Sequence, residues 1–283
     1  MARVLFSVTS IQRPSFRVAV TALAVAGAAG GSHCVPAGNA DGHDAGTTVI
    51  ATAARSAVPT PIAVDLLKVP FEDDFEHGVP ARAVPGEAGA AGSTSGGLEP
   101  SADWVATSPG IWHIENGRLC GEHARNHGLW LKRTLPVNAR IEFDAVSLSP
   151  EGDLKAEFWG DGRSYATSLS YTNATSYLTI FGGWHNKFHV LARINEHGND
   201  RKEIAVVDLN SDDVRERPVI TGQVYRFKVE RNDGKTVRWW IDGNEMLTYG
   251  DTSPLAGVGH DHFGFNDWDV KVCFDNVRIV PLP

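Results

Sequence analysis

Cysteine is scarce: the 283-residue chain has three, Cys34, Cys120 and Cys273, which leaves room for one intramolecular bridge at most. Runs of lysine or arginine are missing, and the formal net charge is −8. That pattern excludes nucleic acid and anionic membrane surfaces as partners, since both need a clustered basic footprint. Helical periodicity and internal repeats are also missing, which excludes a bundle or a solenoid. Histidines are numerous (His185, His189, His197, His260 and His262 among them), but no tight ligand spacing recurs, which argues against a zinc site.

The one long uncharged apolar run is at the N-terminus. Arg3, Arg13 and Arg17 precede Val18 to Gly31, in the order of a basic region followed by a secretory core too short to span a bilayer. Ala26-Gly27-Ala28 offers cleavage after Ala28; Cys34 offers the alternative of a lipid-acylated N-terminus, which would be the only membrane attachment. An exported protein in the periplasm, at the cell surface or outside the cell is therefore expected, with residues 1–34 as export segment. Residues 35–68, rich in Ala, Gly, Thr and Pro, read as a tether, and 69–283 as the folded domain. Cys120 and Cys273 each sit among apolar residues in a strand pattern. Buried free thiols and a disulfide are both open, the thiols slightly favoured.

From Trp104 onward the period is two. Asn116-Gly117, Asn232-Asp233-Gly234 and Asp242-Gly243 mark tight turns between short apolar-polar alternations. Strands are expected at 71–76, 112–115, 118–120, 128–133, 140–148, 153–161, 165–171, 177–181, 188–195, 224–230, 236–241, 245–249, 262–266 and 271–280. A Gly/Ala/Ser-rich stretch, 84–100, reads as a mobile loop. About a dozen strands with turns every eight to twelve residues predict an all-β fold, a two-sheet antiparallel sandwich or jelly roll.

Three segments carry a family resemblance. Phe71 to Phe75 with Phe274 to Ile279 resemble the paired terminal strands of the concanavalin A-like lectin/glucanase superfamily. Tyr225 to Glu230 with Val237 to Gly243 resemble the hairpin of laminin-G-type domains, and Trp112 to Gly117 an early hairpin of the same superfamily. The resemblance covers most of residues 70–283 and implies a carbohydrate-related role, with polysaccharide or oligosaccharide as partner. It also implies a structural Ca²⁺ near acidic termini, for which Asp74 and Asp275 are the candidates. No cofactor is otherwise required. The Glu-x-Asp-x-Glu signature of the superfamily's laminarinase-like hydrolases is absent.

Two candidate sites follow. If Ser149 to Gly152 close a hairpin between 140–148 and 153–161, Asp144 faces Glu157, Glu142 faces Trp159 and Arg140 faces Asp161, all on one side. Opposed carboxylates could approach the roughly 5–5.5 Å spacing of retaining glycosidases, making Asp144 and Glu157 nucleophile and acid in some order and Trp159 a sugar platform. The second site is the segment Gly182 to His197, which opens with the unusual turn Phe181 to Lys187. There Trp184, His185 and Asn186 project from a glycine-rich loop, with Arg193 and Glu196 on the following strand and Trp268 on another polar loop. Three functions remain open. They are a glycan-binding module, a glycoside hydrolase or lyase (the lyase using His185 with Arg193 and Tyr177), and a structural envelope lipoprotein that binds protein.

Overall fold

A computed structural model describes residues 65–80 and 98–283. The export segment, Cys34, the tether as far as residue 64 and residues 81–97, which hold most of the small-residue stretch 84–100, lie outside the described residues. Seventeen strands occur among the described ones. They are β1 (Phe71–Asp73), β2 (Val79–Pro80), β3 (Leu98–Glu99), β4 (Trp104–Ala106), β5 (His113–Glu115), β6 (Arg118–Gly121), β7 (Leu129–Leu131), β8 (Ala139–Ser147) and β9 (Leu154–Gly160) in the first half. The second half holds β10 (Tyr177–Gly182), β11 (Phe188–Arg193), β12 (Lys202–Ala205), β13 (Val224–Arg231), β14 (Thr236–Ile241), β15 (Asn244–Gly250), β16 (His262–Asn266) and β17 (Val272–Pro281).

Two antiparallel sheets result. The larger has ten strands in the order β15-β14-β13-β8-β17-β6-β5-β3-β2, with β1 added beside β17; the smaller has seven, β12-β11-β10-β9-β16-β7-β4. This is the all-β two-sheet sandwich that the strand pattern predicts. The terminal pairing is present, Phe71 opposite Ile279 and Asp73 opposite Val277. Tight turns stand where Asn-Gly and Asp-Gly place them: Asn116 and Gly117 have φ of 53° and 70°, Asp242 and Gly243 of 50° and 83°, the left-handed pair that matches strand twist.

Alternation drives the packing. On β13, Tyr225, Phe227 and Val229 are buried while Arg226, Lys228 and Glu230 face outward. From the opposite layer come Phe158, Phe263 and Phe265. Phe143 of β8 lies 5.2 Å from Phe265 and 5.8 Å from Phe263, ring centre to ring centre, and Phe274 stacks on Phe265 at 4.2 Å. Each fully buried ring stabilises by about 1.5–3 kcal/mol relative to exposure. The packed part begins earlier than the tether boundary suggests, because Leu67 is buried and its N–H donates to the Thr134 carbonyl at 2.9 Å.

The 140–161 hairpin does not form. β8 has both hydrogen-bonding edges taken by β13 and β17, while β9 pairs with β10 and β16 in the other sheet. The segment 148–153 is thus an arch between sheets. Residues 165–171, expected as a strand, are irregular and belong to the connection between β9 and β10. The free-thiol reading also fails: Cys120 and Cys273 are register partners on β6 and β17 and form a disulfide across 153 residues of sequence.

Because the bridge closes so long a loop, its loss should act mainly through the unfolded chain. Cys120→Ala with Cys273→Ala is expected to lower the unfolding free energy by about 2–4 kcal/mol in urea titration, and reduction of the native protein to do the same. An unchanged midpoint in both would contradict the linkage.

Candidate functional site

Separating β8 from β9 separates the proposed catalytic pair. Asp144 lies on the outer face of the larger sheet, where Arg226 donates to it at 3.1 Å and Asn276 at 2.9 Å. Glu142 is on that face too, 3.9 Å from Arg278, and Arg140 pairs with Glu230 rather than Asp161. Glu157 is fully buried on the smaller sheet. It accepts hydrogen bonds from Ser176 (2.6 Å), Tyr171 (3.2 Å) and Asn266, with no cation paired to it among the described residues. Burial raises its pKa from the ordinary carboxylate range to about 7, against those three donors.

Trp159 is not a sugar platform. Its φ of 54° marks it as the extra residue of a bulge opposite His262 and Phe263, which turns the indole to the same side as Phe158. There it is fully buried, donates to the Pro136 carbonyl and lies under the Arg231 guanidinium at 3.9 Å. Asp74 and Asp275 open on different hollows. Asp74 opens on a groove with His77 and Asp103, Asp275 on a small hollow beside Arg118, and no group of three or more possible ligands is arranged for a metal among the described residues.

Four of the other candidates do come together. Trp184, His185, Glu196 and Trp268 line one cavity of about 330 Å³ against the outer face of the smaller sheet. Its wall is built from two segments of unusual backbone. In the first, Gly182 (φ 76°), Trp184 (53°), His185 (60°) and Asn186 (58°) form a left-handed turn closed by Lys187 N–H to the Gly183 carbonyl at 2.9 Å. Residues with side chains pay about 1–2 kcal/mol each in this region. Asn186 offsets part of it: its amide donates to the carbonyls of Pro150 and Val219 and accepts the Val219 N–H at 2.8 Å. Asn186 is therefore a brace behind the turn rather than a group facing ligand.

In the second segment, His123, Arg125 and Asn126 have φ of 56°, 50° and 61°. The N–H groups of Arg125 and Asn126 donate to the Trp268 and Asp267 carbonyls, and the Arg125 guanidinium sits 4.7 Å from the Trp268 ring centre. Arg201 does the same for Trp184 at 5.0 Å. Each indole thus has a cation on it and a strained backbone holding it. Left-handed residues with side chains concentrate where geometry serves a site.

The floor comes from β9. Lys155 and Glu157 share one face at period two, and Lys155 lines the cavity together with Asp153, the residue just before the strand. Lys155 is buried; its ammonium donates to Asn126 Oδ1 at 2.7 Å and Glu196 Oε2 at 3.2 Å. Burial works against both charges, yet the pairing raises the Lys155 pKa and lowers that of Glu196. Asp153 is pushed up by burial, and Asp267, behind Trp268, to about 7 by burial and by Asp153. At the rim, His185 lies 3.0 Å from Glu151 and His197 3.4 Å from Glu196.

Arg193 stands apart, donating to Asp251 at 2.7 Å and to the Ser253 carbonyl; with Tyr177 also bonded to Asp251, the lyase-type trio with His185 is not assembled. Sequence reasoning missed Asp153 and Lys155 as floor residues, although ionisable groups at 153, 155 and 157 are a readable signal.

No family model matches the chain, and no curated protein matches it. Solved structures do resemble it. A carbohydrate-binding module from Bacillus subtilis is 15% identical, with 62% of this chain and 94% of that chain covered, at a TM-score of 0.43. A beta-glucanase from Bacillus licheniformis is 11% identical, covering 75% and 98%, at 0.47. A structure from work on endo-acting O-glycanases of the human gut microbiota is 15% identical, covering 75% and 99%, at 0.46.

The buried Glu157 makes stability depend on pH. Its folded pKa of about 7 exceeds its ordinary value of 4.5, so the native state holds more protons between those values and loses stability as pH rises through them. The span corresponds to at most about 3 kcal/mol. Glu157→Gln is expected to flatten this part of the curve in chemical denaturation at stepped pH. An identical slope in the variant would remove Glu157 as the cause.

Proposed function

We propose that the cavity between Trp184 and Trp268 binds a saccharide, and that the protein is an exported glycan-binding module. The observation that carries this reading is the pair of indoles, each fixed beneath an arginine and each brought from a different loop to one cavity. An indole offers a flat apolar surface to the C–H face of a sugar ring, while carboxylates and imidazoles around it satisfy hydroxyls. Glu151, Glu196, His185 and His197 supply such groups. The volume is near the lower end of the roughly 300–1,000 Å³ of ligand pockets, which suits one or two sugar units of a longer chain. A paired catalytic carboxylate set forms no part of this reading, since Asp144 and Glu157 lie on different sheets.

Export is supported by the Cys120–Cys273 bridge, which belongs in an oxidising compartment, and by the basic-then-apolar N-terminal sequence. Cleavage after Ala28 or acylation of Cys34 would both deliver the domain there.

Affinity electrophoresis through a panel of polysaccharides tests the binding. Trp184→Ala and Trp268→Ala are each expected to weaken retention by about 2 kcal/mol, roughly thirtyfold in Kd. Trp240→Ala, on the larger sheet beside Lys228, should leave it unchanged. Retention by no glycan, or retention indifferent to both cavity indoles, would end the proposal and favour a protein-binding role recoverable by pull-down.

A further inference from the structure

The charge around the cavity narrows what kind of sugar fits. We propose, on the basis of the saccharide reading, that the site selects glycans bearing free amino groups over neutral and acidic ones, with Asp153 as the selecting residue.

Four carboxylates line the cavity, those of Glu151, Asp153, Glu196 and Asp269, against the single ammonium of Lys155. Three of the four have a cationic or imidazole partner. Glu151 has His185, Asp269 has Arg125 at 2.8 Å and His123 at 2.7 Å, and Glu196 has Lys155 together with the Tyr171 N–H at 2.8 Å. Lys155 in turn is used up by Glu196 and Asn126.

Asp153 differs. No cation among the described residues lies within ion-pair distance of it; the charges of Lys155 and His185 reach it only from farther away, and the backbone N–H of Trp268 donates to it. Its carboxyl lies in the same cavity as both indoles, beside Gly183, where an added Cβ would come within 3.8 Å of its oxygen. A carboxylate in this state has no counter-charge in contact with it, and a ligand can bring one. An ammonium entering between the indoles would hydrogen-bond to Asp153, and the electron-rich ring faces would favour it further. A uronate or sulfate would instead set its charge against four carboxylates. A hydroxyl or acetamido group in the same place brings no charge to pair with Asp153.

Calorimetric titration with short glucosamine oligomers, their N-acetylated counterparts of equal length and an oligouronate tests this. The amino oligomer is expected to bind about tenfold more tightly than the acetylated one, as a charged hydrogen bond implies, and the oligouronate to give no heat. In Asp153→Asn the preference should fall to near parity. Asparagine has the same shape and tolerates the left-handed backbone of this position (φ 62°), so folding should persist. Glu72→Gln, an equal loss of charge on β1 outside the cavity, should keep the preference and so separates a local effect from the overall charge of −8. Equal binding of the two oligomers, both weakened by Trp184→Ala, would overturn the amine selectivity and leave the saccharide reading standing. A preference that survives in Asp153→Asn would overturn the assignment to that residue. Binding of none of these probes or of any other glycan would remove both.

Discussion

An ammonium cannot be taken out of water without partners, and Lys155 is buried at the centre of one sheet face. Its two partners come from distant parts of the chain, Asn126 before β7 and Glu196 after β11. Satisfying Lys155 therefore pins the 123–126 loop and the start of the 194–201 loop to the middle of the smaller sheet. Glu196 extends the tie by accepting the Tyr171 N–H, which draws the long β9–β10 connection over the same face. Tyr171 and Ser176 then reach Glu157. The cavity lies where these segments meet.

The same tie explains how the strained backbone persists. Left-handed turns at 123–126 and 182–186 would relax if they were free; they are held by Trp268 and Asp267 carbonyls on one side and by the Asn186 brace on the other. Gly182 is required at the start of the second turn, since a Cβ there would come within 2.6 Å of the Val219 side chain. What the strain accomplishes is placement: Trp184 and His185 lie toward the pocket while the neighbouring strand residues pack into the layers beneath.

Of the two residue groups singled out in the sequence, the structure gathers four members of the second into one cavity and separates the first. Trp184, His185, Glu196 and Trp268 were legible because unusual residues stood in turns, where chain geometry leaves side chains free. Asp144 and Glu157 were paired wrongly because a four-residue turn between two alternating runs looks the same whether it folds back within a sheet or arches between sheets. Trp159 was read outward because alternation counts residues, and a bulge adds one without any mark in the sequence.

Period-two alternation and turn residues, both local properties, determined the longer strands, the hairpins at Asn116-Gly117 and Asp242-Gly243 and the sandwich class, but not the short strands β2, β3, β4 and β12. Which sheet each strand joined was decided by tertiary structure, because an edge already bonded to β13 or β17 cannot also accept β9. The disulfide and the cavity followed from that choice: Cys120 met Cys273 only through the β6–β17 register. Asp153 and Lys155 likewise met the two indoles only once loops far apart in the chain had been gathered over one face.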